Sequence, residues 1–194
     1  MKILITGATG FVGNALVTKL LKENKKIYVL IRDIEKAKKL SWFSKVKICE
    51  GDLEDFLSLK EATKNIDIVY HCAALVGGLN IKYKELEEVN VKGTEKLLEA
   101  CKLNKIKKFI HISSALAMGK VPLNATEDTP YNLVPSDYDK TKLVSEIFVK
   151  EFCVKNKIPF VIIRPTMVYG PGELKNKAKM FQYIQKGYFR IIGN

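Results

Sequence analysis

The sequence predicts an α/β fold, a parallel sheet doubly wound by helices, and three observations carry that expectation. Short runs rich in Ile, Val, Phe and Tyr recur along the chain with helical patterns between them. Most of these runs are apolar throughout, as strands buried on both faces are. The first, Lys2-Ile3-Leu4-Ile5-Thr6, passes straight into Gly7-Ala8-Thr9-Gly10-Phe11-Val12-Gly13, a glycine-rich turn that opens a helix. Strand–helix alternation with right-handed crossovers gives a parallel sheet covered on both sides.

Taken in order, strands are expected at 2–6, 26–31, 46–50, 67–71, 106–113 and 159–164. A helix over 11–23 follows the glycine turn. A second, over 82–104, carries Leu86, Val89, Gly93, Leu97 and Cys101 at three-to-four spacing. A third, over 137–156, sets Thr141, Ser145, Phe148, Phe152 and Cys153 on one stripe. Residues 165–194 break the pattern: Pro165, Gly170, Pro171 and Gly172 make a loop, and a helix follows around 174–186. The ending Arg190-Ile191-Ile192-Gly193-Asn194 reads as a strand just beginning, so a fragment is expected.

Composition narrows the function. The chain has 194 residues, 47% hydrophobic and 28% charged, enough for one domain with a full core. No apolar run reaches the length of a membrane span, and the N-terminus enters a strand rather than a leader. A cytoplasmic protein with no membrane partner is expected. Cys49, Cys72, Cys101 and Cys153 are widely spaced and read as small core residues, not a disulfide or metal framework. The net charge of +12 raises the question of nucleic acid, but the lysines are scattered and only three arginines occur. No aromatic residues interleave a basic stripe, so a solvated lysine-rich surface is the reading, without nucleic-acid binding. His71 and His111 fall at or inside strands with no third ligand at metal spacing; buried, hydrogen-bonded histidines and no metal are expected.

The glycine turn points to a dinucleotide. Gly7 permits the tight turn, Gly10 lets backbone approach a pyrophosphate, and Gly13 lets the helix pack closely on the sheet. The diphosphate then sits at the helix N-terminus, where free N–H groups favour an anion. Arg32, at the tip of the second strand, can pair with a ribose 2′-phosphate and favours NADP. Asp33 beside it is either a ribose ligand, which would favour NAD, or the N-cap of the next helix. Asp52, in Gly51-Asp52-Leu53, can accept from an adenine amino group and also cap a helix.

Tyr138 and Lys142 stand four residues apart on one helix face, after a strand that ends in Ser113 and Ser114. Strand ends there border the crevice where a dinucleotide's reactive ring lies. A tyrosine can give a proton to a developing alkoxide or take one from an alcohol, and a nearby ammonium should lower its pKa. A serine hydroxyl can orient the same oxygen.

Together these motifs resemble the extended short-chain dehydrogenases/reductases, the NAD-dependent epimerase/dehydratase family. The resemblance spans essentially the whole chain. It rests on the glycine turn Gly7–Gly13, Gly51-Asp52-Leu53, His71-Cys72-Ala73-Ala74 and Asn90-Val91-Lys92-Gly93-Thr94. It continues through Ile112-Ser113-Ser114, Tyr138-Asp139-Lys140-Thr141-Lys142, and Arg164-Pro165 with Tyr169-Gly170-Pro171-Gly172.

The resemblance implies an NAD(P)-binding Rossmann fold, with a dinucleotide-binding domain over 1–170 and the start of an incomplete substrate lobe over 171–194. It implies that Ser114, Tyr138 and Lys142 are catalytic, with Lys142 and Tyr138 also touching the cofactor. Gly7, Thr9, Gly10, Phe11, Val12 and Gly13 would meet the diphosphate. Arg32, Asp52 and Leu53 would lie at the adenosine, Cys72, Ala73 and Ala74 along the cofactor, and Pro165 and Thr166 near the nicotinamide. Asn90 would be structural. Dimerisation through the helices over 82–104 and 137–156 is also implied. Dehydratases of the family carry an Asp-Glu pair after the catalytic serine or threonine. Here Ala115 and Leu116 stand there, and Met118 replaces the usual tyrosine before Gly119.

The expected function is NADP-dependent reduction of a small-molecule carbonyl, or oxidation of the matching alcohol, with NAD as the alternative cofactor. Two rivals are a nucleotide-sugar epimerase with retained NAD and a non-catalytic dinucleotide sensor.

Overall fold

In a computed structural model, residues 1–76, 81–134, 136–172 and 176–188 are described. Six parallel strands form one sheet: β1 (Lys2–Thr6), β2 (Lys26–Ile31), β3 (Lys47–Glu50), β4 (Ile68–His71), β5 (Lys108–Ile112) and β6 (Phe160–Ile163). Their spatial order is β3-β2-β1-β4-β5-β6. The chain therefore moves outward from β1 in one direction, then returns to β1's other side with β4. That reversal opens a crevice at the carboxyl ends of β1 and β4.

Side-chain alternation along the strands divides the core in two. Ile3, Ile5, Val29 and Ile31 point to one face, against Val17 and Leu20 of α1 (Phe11–Lys22), Ala37 of α2 (Ile34–Lys38), and Trp42. Leu4, Leu30, Val69 and Phe109 point to the other, against α3 (Phe56–Ala62), α5 (Gly93–Leu103) and α6 (Asp137–Lys155). Each fully buried Leu, Ile or Phe contributes about 1.5–3 kcal/mol relative to exposure. On β6, Phe160 and Ile162 pack inward while Val161 and Ile163 are exposed.

The expected strands are all present, trimmed at their ends where turns compete. The expected 106–113 strand narrows to Lys108–Ile112 and 159–164 to Phe160–Ile163. The region expected as one helix over 82–104 is instead three pieces: α4 (Tyr83–Glu87), a π-helical turn over Glu88–Lys92, and α5. The wide turn holds Asn90 and Val91, both buried, and directs the Asn90 amide away from the helix. A helix, α7 (Asn176–Gln185), occupies the region expected around 174–186. The expected strand start at 190–194 lies outside the described residues. No helix among the described residues is long and apolar enough to cross a membrane.

Candidate functional site

The turn after β1 is built by close backbone approach. Gly7 has φ +69°, and a Cβ there would meet the Ala73 amide nitrogen at 2.5 Å. A Cβ on Gly13 would lie 2.2 Å from the Gly7 carbonyl oxygen, so α1 can seat on the turn only with glycine there. The Gly10 N–H donates to the Gly7 carbonyl at 2.9 Å, closing the turn.

The N-terminus of α1 differs from those of its neighbours. α2, α3 and α6 begin with side-chain caps from Asp33, Asp55 and Ser136. α1 begins at Gly10 with no side-chain cap and no acidic residue in its first turn. Its leading N–H groups therefore remain available to an anion, with the helix dipole behind them.

This turn forms one wall of a cleft of about 380 Å³ at the carboxyl ends of β1, β2 and β4. Of the residues expected at a cofactor, Gly7, Thr9, Gly10, Arg32, Asp52 and Leu53 line it, as do Cys72, Ala73 and Ala74. Phe11 and Val12 are half-buried in the first turn of α1, and Gly13 lies buried beneath it. Thr6, Lys36, Leu75 and Val89 also line the cleft, without a sequence motif that marks them.

At the β2 tip, Asp33 caps α2 by accepting from the Lys36 N–H at 2.9 Å. Of its two possible roles, the cap is the one with a partner. Arg32 pairs with Asp52 across the cleft mouth, Nη1 to Oδ2 at 3.3 Å. The expectation that Asp52 also caps a helix is corrected: Asp55 caps α3, while Asp52 accepts from the Glu54 N–H. The loop after Gly51 is longer by a turn than a direct strand-to-helix step, and so Asp55 reaches the first helical amides.

Ser114, Tyr138 and Lys142 lie beyond this cleft, toward β5. Lys142 is 3% exposed and donates from Nζ to the Ile112 carbonyl at 2.7 Å. Burial lowers its pKa to about 8, against the opposing pull of Glu146 and Cys72. Cys72 links the two halves, lining the cleft while feeling the Lys142 charge; burial still pushes its thiol up to about 12. Tyr138 overturns one expectation. Its phenol is raised rather than lowered, because burial and the Asp139 carboxylate outweigh any help from the ammonium. The Ser114 hydroxyl accepts from the Leu116 N–H at 3.2 Å.

Behind these groups lies a buried carboxylate that sequence reasoning missed. Glu146, one turn past Lys142, accepts at Oε1 from Arg164 Nε at 2.9 Å, Arg164 Nη2 at 2.7 Å and the Tyr131 hydroxyl at 2.8 Å. Its Oε2 accepts from the Ser113 hydroxyl. The Ser113 N–H donates to the Ile163 carbonyl at 2.8 Å and the Ala115 N–H to the Pro165 carbonyl at 3.0 Å. Pro165 is thus tied to the strand end that carries Ser114. The signal that could have found Glu146 was an acid four residues after a helical lysine, in a stripe otherwise apolar or small.

His71 is buried and fully engaged, Nδ1 with the Thr6 hydroxyl at 2.7 Å and Nε2 with the Thr94 hydroxyl at 2.9 Å. Thr94 gives its proton to the Asn90 carbonyl, so His71 must carry its own proton on Nε2 and accept at Nδ1. His111 departs from expectation: it is buried, but neither ring nitrogen has a hydrogen-bond partner among the described residues. It packs instead against Phe109 and His71, which also pack against each other.

The NAD dependent epimerase/dehydratase family model matches residues 3–188. The chain belongs to this family. Among curated members, it is 29% identical to the zebrafish (Danio rerio) short-chain dehydrogenase/reductase family 42E member 1, over 97% of this chain and 51% of that one. It is 30% identical to a 3 beta-hydroxysteroid dehydrogenase/Delta 5-->4-isomerase of Mycobacterium tuberculosis, over 98% and 53%. Among solved structures, UDP-glucuronic acid 4-epimerase from Bacillus cereus in complex with NAD superposes with a TM-score of 0.74 at 33% identity, covering 88% of this chain and 58% of that one. The chain thus spans about half the length of the curated family members it matches.

Proposed function

We propose that this chain binds a nicotinamide dinucleotide along the cleft and provides the cofactor half of an oxidoreductase acting on a small-molecule carbonyl or alcohol. The observation that carries this reading is the uncapped α1 N-terminus, seated on a turn where glycine alone fits, at the mouth of the cleft. When bound, the nicotinamide ring supplies or takes the hydride. The chain's own residues do the rest. Tyr138 gives the substrate oxygen a proton or takes one, Ser114 orients that oxygen, and Lys142 holds the nicotinamide ribose, with Pro165 and Thr166 beside the ring. Residues 1–170 would form the dinucleotide-binding domain and 171–194 the beginning of a substrate lobe.

NADP is the favoured cofactor. Arg32 and Lys36 both line the cleft at the β2 tip, and Asp33 is occupied as a cap. Arg32 is 74% exposed on its side chain and held by one contact at 3.3 Å, a pair worth about 0–1 kcal/mol. A 2′-phosphate would displace that contact readily.

A second reading, epimerisation of a nucleotide sugar with retained NAD, is favoured by the 33% identity to an epimerase that binds NAD. Against it, Leu116 and Met167 are exposed on the two segments joined by the Ala115–Pro165 bond, and present apolar surface near Ser114. A homodimer would bring together α5 and α6, which expose Leu103, Val144 and Val154.

Calorimetry on the purified chain tests the proposal. NADP(H) should bind in the micromolar range, on the order of 7–8 kcal/mol. Arg32→Ala should weaken NADPH by about 1.5–3 kcal/mol and NADH far less. Equal losses for both nucleotides would remove the case for NADP, and co-purifying NAD released only on denaturation would favour the epimerase.

A further inference from the structure

We propose that Glu146 is a positioning residue, holding the strand end that carries Ser114 against the helix that carries Tyr138 and Lys142; this rests on the reading of those three as the reacting set.

Ser114 lies between two backbone bonds, Ser113 N–H to the Ile163 carbonyl and Ala115 N–H to the Pro165 carbonyl. Continuing the register in which Ile112 lies opposite Ile163, Ser113 stands opposite Arg164 and Ser114 opposite Pro165. The side chains of Ser113 and of Arg164 both end on Glu146. One carboxylate therefore grips both strands of the ladder at the facing pair immediately before Ser114. It does so from α6, one turn after Lys142 and two after Tyr138. A second tie, Lys142 Nζ to the Ile112 carbonyl at 2.7 Å, joins the same two elements one residue earlier. Without Glu146, the lysine bond would be the one side-chain hydrogen bond left between the β5 end and α6 among the described residues, and the lysine is the group that must reach the ribose.

Burial makes the grip firm. Glu146 is 0% exposed, and Arg164 is also spread over Tyr131 and the Glu127 carbonyl. A fully desolvated carboxylate with its donors satisfied has one low-energy position. Electrostatics adds a second consequence. Among the described residues, the groups that feel the Lys142 charge are His71 and Cys72 from the β4 end, His111 from β5 and Glu146 from α6 itself, with Tyr138 four residues before it on the same helix. Burial holds both histidines neutral, and of the two groups that favour the ammonium, Glu146 and Cys72, Glu146 acts more strongly.

The test needs no substrate. The chain is labelled with 13C-lysine, and the Lys142 Cε resonance is identified by its loss in Lys142→Arg. In the wild type it should titrate near the value of about 8 set by burial. In Glu146→Gln, which keeps the shape, the midpoint should fall by one pH unit or more. Hydrogen exchange supplies the positional readout. In Ser113→Ala the Ala115 amide should exchange at least tenfold faster, while Leu4 and Ile5 of β1 keep their rates, and Ser113→Thr should restore slow exchange. A merely structural role would speed all of these amides together. Should Glu146→Gln fail to fold, Ser113→Ala and Tyr131→Phe decide the matter, because both leave the Glu146–Arg164 pair in place. An unmoved Lys142 midpoint, or an Ala115 rate within twofold of wild type, would overturn the proposal. Dinucleotide calorimetry on the same samples separates the two claims: if the wild type binds no dinucleotide, the functional reading falls while the exchange and titration results still decide the role of Glu146.

Discussion

Asn90 pairs with Leu75 as one strand residue pairs with another: its Oδ1 takes the Leu75 N–H at 2.7 Å, and its Nδ2 gives a proton to the Leu75 carbonyl at 3.0 Å. The second Nδ2 proton goes to the Thr141 hydroxyl, which in turn donates to the Tyr138 carbonyl. The amide therefore joins a wall of the cleft to the helix bearing Tyr138.

Asn90→Ala should lower stability by about 2–4 kcal/mol, since it leaves two main-chain groups of Leu75 without partners in a part-buried site. It should also weaken dinucleotide binding, because Leu75 lines the cleft. Urea unfolding and calorimetry read the two effects. Unchanged affinity in a destabilised variant would confine Asn90 to stability.

Gly13→Ala should abolish dinucleotide binding. The added methyl would sit 2.2 Å from the Gly7 carbonyl oxygen, and backbone cannot yield as a side-chain tip does. The turn must open, at a cost of about 2 kcal/mol or more. Alanine at Gly172, where a Cβ would meet nothing within 4 Å among the described residues, should leave binding intact despite some strain from φ +91°. Calorimetry on the pair checks the contrast.

The two buried histidines should govern acid stability. Burial lowers the His71 pKa from 6.5 to about 3, and drives His111 down as well. Below pH 6.5 the unfolded chain takes up protons that the folded chain refuses, so stability is full above 6.5 and falls as pH drops toward 3. Each histidine contributes up to about 1.4 kcal/mol per pH unit. His111→Phe should remove one histidine's share of that slope and gain about 1 kcal/mol at neutral pH, because two nitrogens without a partner among the described residues leave the core. Urea titrations between about pH 7 and pH 5 would expose an unchanged slope.

Tyr138→Phe should leave dinucleotide affinity within about twofold and lower turnover by about 100-fold or more, the usual worth of a general acid. The measurement is NADPH oxidation with a carbonyl panel, in this chain or a longer one containing it. Turnover that survives the substitution would assign the proton to another group.

Much of this was legible in the sequence because it is local. The fate of the apolar runs follows from their length and composition, and each became a strand within a residue or two. The glycine turn was readable for the same reason: Gly7, Gly10 and Gly13 are spaced for a single turn and a single helix entry. Tertiary structure decided what depends on partners far along the chain. Asp33 and Asp52 were both open to capping a helix, and only the placement of Lys36 and Asp55 decided that Asp33 does so and Asp52 does not. His71 and His111 look alike in the sequence and sit side by side across β4 and β5, yet among the described residues one found two hydroxyls and the other none. The Tyr138 pKa took the sign of its burial, which no spacing encodes. Glu146 meets Ser113, Tyr131 and Arg164 from 15 to 33 residues away, and so a carboxylate that no sequence motif marked became a buried hub in the fold.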